Sequence, residues 1–99
     1  MIAAYIRHLR IDDRELYTGE VAKCFVFDWE VSVLKRQEWV DANAALREEL
    51  KEAIPPMDRG WDSKEKRWSV KVIHRDLLAR IFSNFEAEVA ALEAQGSLF

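Results

Sequence analysis

Between Arg59 and Arg75 the chain collects side chains that could do chemistry on a polyanion. Arg59, Lys64, Lys66, Arg67, Lys71 and Arg75 carry positive charge there, and Trp61 and Trp68 stand seven residues apart among them. Lysine and arginine beside indole rings supply what a nucleic acid offers for binding, phosphates to neutralise and bases to stack on. Residues 57–80 hold seven basic side chains against four acidic ones, a local net of +3 in a chain whose total is −3. The competing reading of the same residues is an ordinary charged surface, salted by Asp62, Glu65 and Asp76.

No other grouping points to a reaction. His8 and His74 lie far apart with no H-x-x-x-H spacing and no cysteine partner, so no metal site is expected. His74, where a strand gives way to a helix, reads as a helix-start residue. The three glycines are scattered, and G-W-D-S-K-E-K lacks the spacing of a phosphate-binding loop. Asp12-Asp13 and Glu48-Glu49 are sequence neighbours, and adjacent residues on a helix do not face one another. No catalytic residue and no cofactor is expected, and the chain reads as a non-enzyme. The single cysteine, Cys24, excludes an intrachain disulfide and suits a reducing, cytoplasmic setting. No apolar run approaches the ~20 residues of a membrane span.

The elements that must position the basic cluster can be read from periodicity. The 99 residues, 49% hydrophobic with few glycines and prolines, suit one α+β domain over 1–99. Residues 2–11 read as a strand with imperfect alternation: Ile2, Ala4 and Ile6 on one face, Tyr5, Leu9 and Ile11 on the other. Asp12 to Glu20 reads as a polar hairpin loop. From Val21 to Leu34 apolar residues fall on odd positions, a strand long enough to need a bend or bulge near Cys24 or Asp28. A helix should run from Gln37 to Ala53 with Trp39, Ala42, Leu46, Leu50 and Ala53 inward and Asp41, Glu48, Lys51 and Glu52 outward. Pro55-Pro56 stops it.

Trp61 to Val72 reads as a turn feeding a strand, with Trp68, Val70 and Val72 on the core face. Asp62 and Ser63 suit the reversal because their side chains can bond nearby backbone N–H groups. One helix from Arg75 to Ala94, carrying Leu77, Leu78, Ile81, Phe82, Phe85, Val89 and Leu92 on one arc, should close the fold, with Gly96 after it. The expected order is β-β-α-β-α, a small antiparallel sheet with two helices packed on it.

At its basic stretch the chain resembles the HARP domain, the small module that accompanies the motor of annealing helicases. Arg59, Trp61, Asp62, Lys66, Arg67, Trp68 and Val70 match its pattern of an arginine, an aromatic and Asp, a short basic turn and a Trp-x-hydrophobic strand. Leu46 and Leu50 lie upstream, and Leu77, Leu78 and Ile81 downstream. The resemblance covers roughly residues 31–85, and related signatures occur in small phage and plasmid proteins. It implies DNA binding, especially at single-strand/double-strand junctions, without chemistry by the module. The chain departs from that family in carrying no motor and in its acidic balance.

Two functions therefore compete. One is an accessory DNA-binding module using Arg59, Trp61, Lys64, Lys66, Arg67, Lys71 and Arg75. The other is a protein-interaction or inhibitory module of a mobile element, using the acidic helix face (Asp41, Glu48, Glu52) or an uncovered sheet edge. Strand one is the expected edge, which would invite homodimerisation or partner-strand addition.

Overall fold

The computed structural model describes residues 4–33 and 35–96, so Ile2 and Leu34 lie outside the described residues. Four antiparallel strands form one sheet: β1 (Ala4–Glu15), β2 (Val21–Val31), β3 (Arg59–Asp62) and β4 (Arg67–Lys71), in the spatial order β1-β2-β4-β3. Helices α1 (Arg36–Ala53), α2 (Arg75–Ile81) and α3 (Phe85–Gly96) complete an α+β architecture, with 3-10 turns at Pro56–Asp58 and Val72–His74. The coarse expectation holds. The element order is corrected twice, because residues 59–62 form a fourth strand and the last helix is two.

β1 runs four residues further than its composition suggested. Asp12, Asp13, Arg14 and Glu15 pair with Cys24, Lys23, Ala22 and Val21, and the reversal is confined to residues 16–20. There Gly19 takes φ 83, a left-handed conformation that glycine adopts without steric cost. The imperfect alternation of β1 has a physical source. Arg7 pairs with Asp28 and Arg10 with Val26, so His8 and Leu9 both oppose Phe27 in a bulge, with His8 at φ 51. The extra residue inverts the parity, and Ile11 comes to the same face as Ile6. The irregularity expected in β2 thus sits in its neighbour.

On β2, Cys24, Phe25, Val26 and Phe27 are all buried, so this stretch of the strand is shielded from solvent on both faces. Phe25 and Phe27 face the helices with Val70 and Trp68 of β4, their register partners. Phe85 meets Phe25 edge-on at 5.1 Å, and Phe82 meets Phe27 at 5.7 Å. Burying each such ring contributes roughly 1.5–3 kcal/mol. Cys24 and Val26 face the other way. Buried Leu16 also lies on that side, close to Gly60 of β3. Burial pushes the Cys24 thiol above its ordinary pKa.

α1 ends where its prolines require, with Ile54 extended at φ −119, ψ 122 before Pro55. Its buried stripe is Asn43, Leu46, Leu50 and the cap residue Ile54. Trp39, 47% exposed, and Ala53 lie outside it, a correction to the expected inward face. The closing helix breaks at Phe82, whose extended backbone separates α2 from α3. Heptad-like spacing continues through the break and hides it. The break frees Asn84 to clamp β1: its Oδ1 accepts from Ile6 N–H at 2.8 Å and its Nδ2 donates to Ile6 C=O at 3.1 Å. Ser83 N–H donates to Ala4 C=O as well. β1 is an edge strand, as expected, yet its N-terminal half is covered by this segment.

Candidate functional site

A cleft of about 520 Å³ opens between α1 and the β3–β4 hairpin. Its floor is aromatic. Trp29 of β2, Trp68 of β4 and Trp61 of β3 stand side by side across three strands, Trp29 stacked on Trp68 at 6.0 Å and Trp68 tilted against Trp61 at 5.4 Å. The register makes this unavoidable, since Trp61 pairs directly with Trp68 and residues opposite one another share a face. Trp68 is 7% exposed and Trp61 53%, so the row begins in the core and ends in solvent at the edge strand.

The opposite wall is one stripe of α1. Asn43, Arg47 and Lys51 follow at i, i+4 and i+8, so helical geometry stacks them on a single face beside the buried stripe. Asn43 is buried and fixed at both ends of its amide. Its Oδ1 accepts from Trp29 Nε1–H at 2.8 Å, and its Nδ2 donates to Trp39 C=O at 2.7 Å. Arg59 and Lys66 close the hairpin side of the cleft. Arg59 Nε donates to Ile54 C=O at 3.0 Å, satisfying a carbonyl that the end of α1 leaves without a helical partner.

The turn that carries Lys66 is built by Asp62, as its sequence suggested. Asp62 Oδ1 accepts from the N–H groups of Lys64 and Glu65 at 2.8 and 2.9 Å, and those bonds hold its pKa below the ordinary carboxylate range. Lys66 occupies φ 58, a left-handed position where a side chain is strained by ~1–2 kcal/mol. Glu65 is held from β1: Arg10 and Arg14 donate to it at 2.8 and 2.7 Å, depressing its pKa, chiefly through Arg14. The acidic residues of the turn are thus engaged by β1 and by backbone. Lys64 and Lys66 form no ion pair among the described residues, nor do Arg47 and Lys51.

The expected cluster of seven divides. Arg59, Trp61 and Lys66 line the cleft. Lys64 lines a shallower hollow across β3, which shares Arg59, Gly60 and Trp61 with the cleft. Arg67, Lys71 and Arg75 do not join them, because each is spent on carboxylates. Arg67 reaches Asp28 at 3.3 Å, Lys71 reaches Glu20 and Asp58, and Arg75 reaches Glu86 at 2.8 Å and Glu93 at 3.4 Å. Those partners raise the pKa of Lys71, chiefly through Glu20, and of Arg75, chiefly through Glu86. His74 sits at the start of α2, as read, and its Nε2 lies 2.9 Å from Asp58 Oδ2.

Sequence reasoning missed the α1 wall. Lys51 is exposed, as expected, yet it lines the cleft with Arg47, and the 43-47-51 spacing is the signal that puts both on the face of Asn43. Asp41, Glu48 and Glu52 are exposed, as expected. Among the described residues, no group of three or more His, Cys, Asp or Glu is placed to hold a metal ion, and no helix is long and apolar enough to cross a membrane. Comparison with protein-family models, with curated proteins and with solved structures finds no match.

Proposed function

We propose that the chain is a non-catalytic module that binds single-stranded DNA, including the single-stranded arm of a junction, through the cleft between α1 and the β3–β4 hairpin. One observation carries this reading: Trp61 is a half-exposed ring beside Arg47, Lys51, Arg59 and Lys66, which form no ion pair among the described residues, while Arg67, Lys71 and Arg75 are paired with carboxylates. A base gains ~1–3 kcal/mol by stacking on such a ring, and Arg47, Lys51, Arg59 and Lys66 can meet the phosphates on either side. The acidic balance of the whole chain then acts against binding elsewhere on the surface. The resemblance to the HARP module at Arg59, Trp61, Asp62, Lys66, Arg67 and Trp68 supports the same class of ligand.

The test is a salt series with a labelled single strand followed by fluorescence anisotropy. Three or four phosphate contacts give a slope of log K on log salt of about −2 to −3 for a single strand. Arg47→Glu with Lys51→Glu should abolish binding, while Arg75→Glu, which touches a paired cation, should leave it nearly unchanged. Absence of binding at low salt, or equal loss in both variants, overturns the proposal.

A further inference from the structure

We infer that the cleft is a pocket for one unpaired nucleotide, with the base inserted against Trp61 and its edge hydrogen-bonded by Asn43. The inference rests on the DNA reading above and adds to it a ligand unit and a polar contact. A cleft of about 520 Å³ falls within the ~300–1,000 Å³ range of small-ligand pockets, room for one nucleotide rather than a run of stacked bases. Such pockets join apolar walls to a few polar groups that are fixed before the ligand arrives.

Asn43 meets that description. A carboxamide offers two N–H donors and two acceptor lone pairs. One of each is spent on Trp29 and Trp39, which locks the amide's orientation. One donor and one acceptor remain on a residue that is only 8% exposed yet lines the cleft. A donor beside an acceptor complements the edge of a nucleobase, whereas the oxygens of an ionised phosphate only accept. The same amide positions Trp29, whose ring supports Trp68 and, through it, Trp61. Arg47 and Lys51, one and two turns further along the same stripe, face where the phosphate attached to that base would lie.

The experiment titrates the intact chain with deoxynucleoside 5′-monophosphates, following tryptophan fluorescence, beside inorganic phosphate and a labelled oligonucleotide. Saturable quenching by a monophosphate, competition with the oligonucleotide and no quenching by phosphate are expected. Trp61→Leu should weaken the monophosphate about 5- to 150-fold, the worth of one stacked base. Asn43→Asp keeps an acceptor for Trp29 but removes the donors, so it should change which monophosphate binds best. If the oligonucleotide binds while no monophosphate does, or if phosphate competes as well as a monophosphate, the pocket inference is overturned and the DNA reading stands. If neither binds, both fall. An unchanged order of bases in Asn43→Asp overturns the role of Asn43.

Discussion

Trp61 and Trp68 touch each other, share a hairpin and differ in burial, so replacing each with alanine separates scaffold from site. Trp68 is 7% exposed, inside the main apolar cluster. Truncating a buried tryptophan costs about 3–5 kcal/mol, roughly a fifth or more of the ~5–15 kcal/mol that holds a domain of this size. Trp61 is 53% exposed, so about half that loss, roughly 1.5–2.5 kcal/mol, is expected for Trp61→Ala. Each kcal/mol moves the melting temperature of such a domain by about 4–8 °C. The variants should therefore separate clearly in urea unfolding, with midpoints shifted and slopes preserved. Binding to a single strand, measured where both are folded, should reverse the order of interest: Trp61→Ala loses about 5- to 150-fold with little structural change. Equal destabilisation by the two substitutions would make Trp61 a core residue. Wild-type affinity in Trp61→Ala would remove it from the site.

Lys66→Gly relieves a left-handed side chain and should stabilise the fold by up to about 1 kcal/mol while flattening the salt slope of binding by about 0.7, the share of one phosphate contact. Losing stability would show that the turn needs the lysine. Asn84→Ala leaves the backbone N–H and C=O of Ile6 unpaired at a sheet edge, which should cost about 1–3 kcal/mol. It should also promote self-association in sedimentation velocity, and an unaltered, concentration-independent coefficient would count against Asn84 as the edge's guard. Acid should destabilise the fold in a defined direction. Asp58 is held below its ordinary pKa chiefly by a hydrogen bond from His74, Glu65 by Arg14, and Glu86 by Arg75. Carboxylates with depressed folded-state pKa values stabilise the fold above their unfolded values and lose that contribution as pH falls through the folded ones. Melting temperature should therefore hold down to about pH 5 and decline below about pH 4, and Asp58→Asn should soften the decline. An unchanged profile in that variant would remove Asp58 from the account.

The fold was legible wherever periodicity had one cause. Phe25, Phe27, Trp29 and Val31 alternate because that face of β2 meets the helices, and Pro55-Pro56 ends α1 by steric exclusion. Reading failed where two causes shared one pattern. The apolar arc from Leu77 to Leu92 fits a continuous helix, yet Phe82 enters the core from the break and Phe85 from the start of α3, because Asn84 and Ser83 bond to β1 between them. β3 is only four residues long and contains a glycine, too little for alternation to register. The site was half legible for a related reason. Its hairpin side shows in sequence as charge beside tryptophan. Its helix side does not, because Arg47 and Lys51 look like any solvated helix face until Asn43 places that face beside Trp29. Pairing was beyond sequence altogether: Arg67, Lys71 and Arg75 read like Lys64 and Lys66, and only tertiary contacts give them Asp28, Glu20, Asp58, Glu86 and Glu93.

The chain's four tryptophans provide the most direct measurement of the central claim. Each has one indole N–H, and Trp29, Trp61 and Trp68 line the cleft while Trp39 lies outside that lining. Titrating an 15N-labelled sample with a single-stranded oligonucleotide should move the indole signals of Trp61, Trp68 and Trp29 along one saturation curve. The Trp39 signal should stay in place. Movement of Trp39 alone, or a bound strand that leaves the three cleft indoles unmoved, would contradict binding in the cleft.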